Sequence, residues 1–390
     1  MTPDENENGE ETATENTDFV GDFKTKYESE AAELGRFNLV LVGRTGAGKS
    51  TLINAFFGPG TARTGNGRPV TQETTYYPHP SELLGIYDCR GFETGEAGNQ
   101  ILKELKRLII ELRAKDLSEQ VHVVWYVVSS HDKRFEDAQA EFVKALADMD
   151  LPVVVVMTQV QHNKNGQPVS SAEQFADAIS RPTAGYIVGG RPILTQALAD
   201  EELGQTVHGL EELLDATFQV APSGVIAALE AVQKIDVQRK RKNCRAIIAS
   251  GAATAGAIGF TPIPMADAAL IIPAQVGMMT GISRQFGLPF DAATIASLAK
   301  ASLLAGGAAS FVGKGLANLL KFIPGVGTGI GGAINATIAS SLTTAIGFAW
   351  MAACEALMKM DPKDAQKLLN DTSQITEIFL TAFKERTRGL

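Results

Sequence analysis

Gly43-Arg44-Thr45-Gly46-Ala47-Gly48-Lys49-Ser50 follows at once on the apolar run Phe37-Asn38-Leu39-Val40-Leu41-Val42. Such a turn between a strand and a helix leaves backbone N–H groups pointing inward, and the positive end of the helix dipole adds to them. The glycines Gly43, Gly46 and Gly48 let the backbone approach phosphate oxygens, Lys49 brings a mobile cation to β- and γ-phosphates, and Ser50 offers a hydroxyl to a Mg²⁺ ion. Thr51-Leu52-Ile53-Asn54-Ala55-Phe56-Phe57 then reads as an amphipathic helix. The pattern predicts a nucleotide-binding loop whose contacts run through Gly43, Arg44, Thr45, Gly46, Ala47, Gly48, Lys49, Ser50 and Thr51.

Outward from this loop, strand and helix signals alternate from residue 36 to about 220. Strands are expected at 37–42, 83–87, 121–128, 153–158 and 191–195, and helices at 49–57, 97–115, 134–149, 171–180 and 209–219. The strands are nearly unbroken apolar runs, as in Val153-Val154-Val155-Val156, which suits a sheet covered on both faces. The alternation predicts an α/β domain with a doubly wound, mostly parallel sheet. Ala221-Pro222-Ser223-Gly224 breaks the pattern, and the composition then turns rich in Ala, Gly, Ile, Ser and Thr. A second, all-helical domain is expected over 225–390. At the other end, residues 1–18 hold seven acidic groups and no Lys or Arg, which predicts a disordered tail. Residues 19–35 read as a short helix leading into a domain spanning 19–220.

The net charge of -9 argues against a nucleic-acid binder held by bulk charge. Cys89, Cys244 and Cys354 are far apart, with no C-x-x-C, which suggests a reducing compartment without disulfide frame or zinc site. The five histidines are scattered as well. No basic-then-apolar secretory signal opens the chain, so a cytoplasmic location is expected.

Asp88-Cys89-Arg90-Gly91 follows the strand Leu83-Leu84-Gly85-Ile86-Tyr87. An Asp at a strand's end can hold Mg²⁺ through water, and the Gly91 N–H can reach a γ-phosphate. Between the two motifs lies the polar stretch Gly65-Asn66-Gly67-Arg68-Pro69-Val70-Thr71-Gln72-Glu73-Thr74-Thr75, read as a mobile loop. Thr71 is the preferred residue to complete a Mg²⁺ shell, with Thr74 and Thr75 as alternatives. The expected metal ligands are Ser50, Thr71 and Asp88; the expected catalytic set is Lys49, Thr71 and Gly91.

Together GRTGAGKSTLINAFFG, V-T and DCRG resemble the Era-like GTPases, nearest to the immunity-related and AIG1-like branch, over roughly 36–220. The resemblance implies binding of GTP and GDP and hydrolysis with Mg²⁺. It departs at the family's [NT]-K-x-D, where the chain has Thr158-Gln159-Val160-Gln161. An Asp there accepts two hydrogen bonds from guanine; Gln161 has one carbonyl acceptor and a competing NH₂. The loss is worth about 1–3 kcal/mol of discrimination and leaves an ATP-binding protein as an alternative. Thr158 and Gln159 are the expected base-side residues, Gln159 through its aliphatic stem. Leu194-Thr195-Gln196-Ala197 stands where the family has S-A-K or S-A-L. Phe92 occupies the place of a water-orienting glutamine, so turnover is expected to be slow and to be stimulated by a nucleotide-dependent homodimer or by membrane contact. A soluble interaction module with negligible hydrolysis is the other reading of the same departures. In His131-Asp132-Lys133-Arg134-Phe135-Glu136, Arg134 either contacts phosphate or a partner domain, or belongs to a solvated helix start.

Residues 239–245, Arg-Lys-Arg-Lys-Asn-Cys-Arg, carry five cations; 246–283 carry one charge, Asp267; and 322–354 carry none. A cationic cluster beside apolar runs attracts anionic lipid, at about 1 kcal/mol per cation. Pro262, Pro264 and Pro273 interrupt the first run, and a straight helix needs about 20 apolar residues to cross a bilayer. Three readings stay open: a soluble bundle, a bundle docking on an anionic membrane surface, and transmembrane hairpins. The stretch through Thr261-Pro262-Ile263-Pro264-Met265-Ala266-Asp267 resembles a domain of unknown function carried by bacterial membrane-associated proteins, which implies membrane association.

Overall fold

The computed structural model describes residues 35–62, 68–69, 71, 74–79, 81–89, 96–132, 134–258, 267–288, 331–360, 362–369 and 371–388. The expected acidic tail and nearly all of the helix expected at 19–35 lie outside these residues. So do Gly91, Arg90, Phe92, Lys133, Pro262, Pro264 and most of the polar stretch before Thr74. Two compact units are present, Leu34–Val237 with Met360–Lys363, and Gln238–Lys359 with Asp364–Leu390.

In the first unit the elements run β1 (Phe37–Val42), α1 (Lys49–Phe57), β2 (Arg68–Pro69), β3 (Thr74–Pro78), β4 (Leu84–Cys89), α2 (Glu96–Arg113), β5 (Val123–Ser129), α3 (Asp137–Ala147), β6 (Val153–Thr158), α4 (Ser170–Thr183), β7 (Ile193–Leu194), α5 (Leu210–Val220) and α6 (Ser223–Val232). They form a sheet of order β2-β3-β4-β1-β5-β6-β7. The pairs β4·β1, β1·β5, β5·β6 and β6·β7 are parallel, while β2·β3 and β3·β4 are antiparallel.

Successive strand residues face opposite sides, so an unbroken apolar run feeds two cores. Val40, Val42, Tyr126, Val128, Val153 and Val155 join one core with α2, α3 and α4. Phe37, Leu39, Leu41, Trp125, Val127, Val154 and Val156 join the other with Leu52, Phe56 and Phe57 of α1 and Leu213 of α5. Each such side chain contributes about 1.5–3 kcal/mol by leaving water. The second core also takes Val225, Ala228, Leu229 and Val232 of α6. That helix follows the Ala221-Pro222 break and packs on the same face of the sheet.

Two boundaries differ in a way that matters for the site. Strand β4 reaches Cys89, so Asp88 stands within the sheet, opposite Leu41 on one side and Thr75 on the other. The polar stretch expected to be loop up to Thr75 gives way to β3 at Thr74. Burial alternates along β3, and Tyr76 packs on Tyr87 at 4.7 Å between ring centroids. The two threonines and two tyrosines of β3 are good strand formers, and pairing to β4 overrides the Gly-rich context.

The second unit holds α7 (Val237–Ile258), α8 (Asp267–Gln285), α9 (Gly331–Met358), α10 (Pro362–Leu369, shared at its start with the first unit) and α11 (Thr372–Arg388). Helix α9 packs against α8 and α11. The buried Trp350 donates its ring N–H to the Met279 carbonyl and the Ser283 hydroxyl at 2.9 and 3.0 Å. Gln275 Nε2 donates to Thr343 Oγ1 at 3.2 Å, both residues fully buried. Pro273 lies inside α8 and does not end it.

The basic run of α7 is divided. Lys240 is fully buried and donates to the Gln285 carbonyl at 2.6 Å. Arg241 makes a two-pronged ion pair with Glu355 at 2.9 and 2.7 Å. Lys242 and Arg245 are exposed. The run therefore contributes less free charge than its count of cations suggests.

Candidate nucleotide site

The sheet reverses its winding at β1, which has β4 on one side and β5 on the other. Ligands of open α/β sheets bind at the carboxyl ends of the strands at such a switch point. The Gly43–Ser50 loop leaves β1 there. At Gly43 (φ 155°) an added Cβ would lie 2.3 Å from the Val127 carbonyl oxygen, so the loop passes hard against β5. Gly48 (φ 84°) precedes α1 in the left-handed region, where a side chain would be strained and would sit 3.2 Å from Thr158 Oγ1.

Lys49 folds back over the loop, and its Nζ donates to the carbonyls of Gly43 at 2.7 Å and Arg44 at 3.1 Å. Burial pushes its pKa down, and the charge of Asp88 acts against that shift. The reciprocal holds for Asp88: burial raises its pKa, and Lys49 lowers it. Asp88 Oδ1 is buried with no hydrogen-bond partner among the described residues. An orphaned carboxylate oxygen beside a phosphate loop is the kind of hard oxygen donor that Mg²⁺ takes, directly or through water. Ser50, in the first turn of α1, is exposed and offers a hydroxyl of the same kind. The donor set fits this ion.

Thr71 is held to the start of β3: its N–H donates to the Thr74 carbonyl at 3.2 Å, and its hydroxyl accepts the Thr74 N–H at 3.0 Å. Thr74, one of the two alternatives, is buried with its hydroxyl 3.4 Å from Cys89 Sγ, which makes it a sheet residue. Thr75 lies in the β3 ladder opposite Asp88. Gly91, the remaining member of the expected catalytic set, lies outside the described residues.

At the end of β6, Thr158 donates its hydroxyl to the Ala47 carbonyl at 2.6 Å and so ties the strand to the phosphate loop. The next residue, Gln159, has φ 58°. Its Oε1 accepts from Ser129 Oγ and contacts His131 Nδ1, both at 2.8 Å, and its carbonyl accepts from Ser130 Oγ at 2.5 Å. Its amide nitrogen then lies on the side of Gly48, 3.7 Å from where a Cβ there would be. Ser129, Ser130 and His131 escaped the sequence reading because nothing in the spacing of β5 announces that they orient a side chain one strand away.

Thr195 sits in the same row of strand ends, donating its N–H to Met157 O at 2.7 Å and accepting that of Val160 at 3.1 Å. Gln196 exchanges backbone hydrogen bonds with His208 at 3.0 Å each way. His208 stacks on His162 at 3.6 Å, and the main-chain carbonyl of Gln161 accepts the Val169 N–H at 3.0 Å.

A second contact missed by sequence is Arg44 Nη2 to Glu136 Oε1, at 2.8 Å. Glu136 caps α3 in a reciprocal box with Gln139; the E-x-x-Q spacing carries that signal, but only the fold brings it to the phosphate loop.

Comparison with known proteins divides the chain in the same sense. Residues 38–159 match the family described as a 50S ribosome-binding GTPase, and residues 227–378 match a domain of unknown function, DUF697. Cell division control protein 10 of Saccharomyces cerevisiae is 24% identical over 194 residues, which cover 43% of this chain and 59% of that protein. The chain thus spans about three fifths of the length of this curated relative. Among solved structures, Toc33 from Arabidopsis thaliana in complex with Mg²⁺ and GMPPNP aligns at 14% identity over 54% of this chain and 92% of that one, with a TM-score of 0.32. A point variant of Aquifex aeolicus Era bound to GDP·AlF₄⁻ aligns at 16% identity over 59% and 69%, with a TM-score of 0.32. The first match thus falls on the α/β unit around the phosphate loop, and the second falls mainly on the helical unit.

Proposed function

We propose that the α/β unit binds GTP with Mg²⁺ and hydrolyses it, and that the bound nucleotide acts on the helical unit at a membrane. The observation that carries this reading is the buried, unpartnered Asp88 Oδ1 beside Lys49 at the end of β4. In this reading the amides from Arg44 to Thr51 and the Lys49 ammonium hold the β- and γ-phosphates. Ser50, Asp88 and Thr71 hold Mg²⁺, which neutralises charge on the two phosphates when bound. Gly91 offers its N–H to the γ-phosphate, and with Thr71 it senses whether that phosphate is there. Thr158 and Gln159 face the base, and Gln159 lays its stem along the ring. A ligand shifts a two-state protein only through its different affinity for the two states, and the γ-phosphate contacts supply that difference.

With Phe92 where a glutamine would orient water, turnover is slow until a second copy or a lipid surface completes the site. Lys242, Arg245 and the apolar helix Ala339–Met358, the one described helix long and apolar enough to cross a membrane, support the membrane arm. One observation favours a soluble bundle in its place: 56% of that helix's apolar window is buried inside the protein.

The test is nucleotide affinity and phosphate release with GTP, GDP and ATP, with and without anionic vesicles, followed by sedimentation. The reading expects Mg²⁺-dependent GTP binding, slow release of phosphate and co-sedimentation with vesicles. Equal affinity for ATP removes the guanine preference, binding without phosphate release favours the interaction module, and protein left in the supernatant when the vesicles pellet favours the soluble bundle.

A further inference from the structure

We infer that Arg44 is a further catalytic residue of this GTPase domain, a γ-phosphate contact supplied from within the phosphate loop, and that Glu136 holds it in reserve. The inference rests on the GTP-hydrolysing reading above and deepens it.

Arg44 is the second residue of the cradle, and its carbonyl oxygen accepts from Lys49 Nζ, the cation that reaches the terminal phosphates. Its guanidinium is about one-third exposed and uses one N–H, on Glu136 Oε1 at 2.8 Å. A guanidinium has five N–H donors in a fixed fork that matches the oxygens of phosphate. An arginine bound to one prong of a surface carboxylate, at the lip of a triphosphate site, has donors to spare.

Glu136 is held from behind. Its backbone N–H donates to Gln139 Oε1 at 3.0 Å, and Gln139, itself buried, donates from Nε2 to Tyr126 Oη at 3.2 Å. Tyr126 lies fully inside β5. A chain of hydrogen bonds therefore runs from the core through the first turn of α3 to the phosphate loop. The backbone that carries the carboxylate is held in place, and the arginine, on the loop, is the member free to leave.

A γ-phosphate carries more charge than one carboxylate and offers three oxygens in the right fork, so it competes for the guanidinium; a diphosphate ends short of that position. Arg44 on the γ-phosphate would stabilise the charge that develops there during hydrolysis, a contribution separate from the water-orienting one that a glutamine at position 92 would make. Any partner that engages Glu136 at the start of α3 would release the arginine.

The experiment compares wild type, Arg44→Ala, Arg44→Lys, Glu136→Gln and the double variant Arg44→Ala/Glu136→Gln. Measured for each are GTP and GDP affinities, single-turnover hydrolysis and melting temperature, with Mg²⁺ present. The inference expects Arg44→Ala to slow single turnover by at least about 10-fold while GDP affinity stays within about two-fold. Arg44→Lys keeps the charge and loses the fork, so it should lie between. Glu136→Gln keeps a capping acceptor and should speed turnover and tighten GTP over GDP, and this gain should vanish in the double variant. A structural strut would behave otherwise: both single variants would lower the melting temperature and weaken GTP and GDP alike, and that result overturns the inference. A wild type that hydrolyses GTP while Arg44→Ala does so equally well removes this inference alone. A wild type that binds no guanine nucleotide removes the reading beneath it, and the inference with it.

Discussion

The two units place their polar groups differently. In the α/β unit the layers above and below the sheet are mostly apolar, and Lys49, Asp88 and Gln159 stand near the carboxyl ends of the strands, with Asp88 Oδ1 buried and without a hydrogen-bond partner among the described residues. In the helical unit polar groups sit in the middle of the helix contacts: Lys240, Gln275, Ser283 and Thr343 are all fully buried. Several are paired across helices, as Gln275 with Thr343 and Ser283 with Trp350. A sheet domain can leave its chemistry at the rim because the backbone ladder fixes the core. A bundle rich in Ala and Gly has small side chains to define its packing, and paired polar groups specify which helix faces meet.

The sharpest way to break this comparison is to empty the centre of the bundle. Trp350→Ala removes a fully buried ring and two hydrogen bonds, and should cost the helical unit about 3–5 kcal/mol. The chain has two tryptophans, so the variant leaves Trp125 as the sole indole reporter of the α/β unit. Its emission on thermal unfolding should stay as in the wild type; a matching shift would mean that the units do not fold independently.

Next in size is the rim. Lys49→Ala deletes a charge-assisted contact and should weaken GTP by about 1.5–3 kcal/mol, roughly 10–160-fold. Circular dichroism should be unchanged, with only a modest fall in melting temperature, because the two hydrogen bonds that Nζ gives the Gly43 and Arg44 carbonyls lie within one loop. A loss of fold would place Lys49 in the core and not at a site.

A smaller effect concerns pH. His79 Nδ1 accepts the Ser81 N–H at 3.2 Å, and burial with the Lys234 charge lowers its pKa from 6.5 to about 4. The unfolded chain gains this proton below 6.5, whereas the folded imidazole gains it only below about 4. The stability tied to neutral His79 is thus complete above 6.5 and lost as pH falls through that window, by about 1–2 kcal/mol at pH 5. Urea melts of the α/β unit, read by Trp125 in the Trp350→Phe variant, should show the slope, and His79→Gln should flatten it.

The smallest is Thr158→Val, which removes the 2.6 Å bond to the Ala47 carbonyl. About 1 kcal/mol of stability should go with it, together with a few-fold loss of nucleotide affinity. A loss confined to affinity would mean that the hydroxyl serves the ligand directly.

How much could be read in advance follows the same divide. The strands 37–42 and 153–158 and the helix 49–57 stand where periodicity puts them, because a strand buried on both faces and a helix behind a glycine turn are local patterns. Strand β3 was hidden, since Thr74–Pro78 becomes a strand only by pairing with β4. The basic run of α7 was over-read, because Lys240 and Arg241 find their partners 45 and 114 residues away.

By itself the amino-acid order determined the phosphate loop, the alternation of strands and helices and the switch to a helical half, since each depends on residues within a few positions of one another. Tertiary structure alone decided that α6 belongs to the sheet, that Thr158 clasps the loop, that Ser129 and His131 aim Gln159, and that Arg44 rests on Glu136. The side-chain meetings among these join residues 28 to 111 positions apart. Chain closure brings them together, and no local spacing can encode a contact whose partner is chosen by how the layers stack.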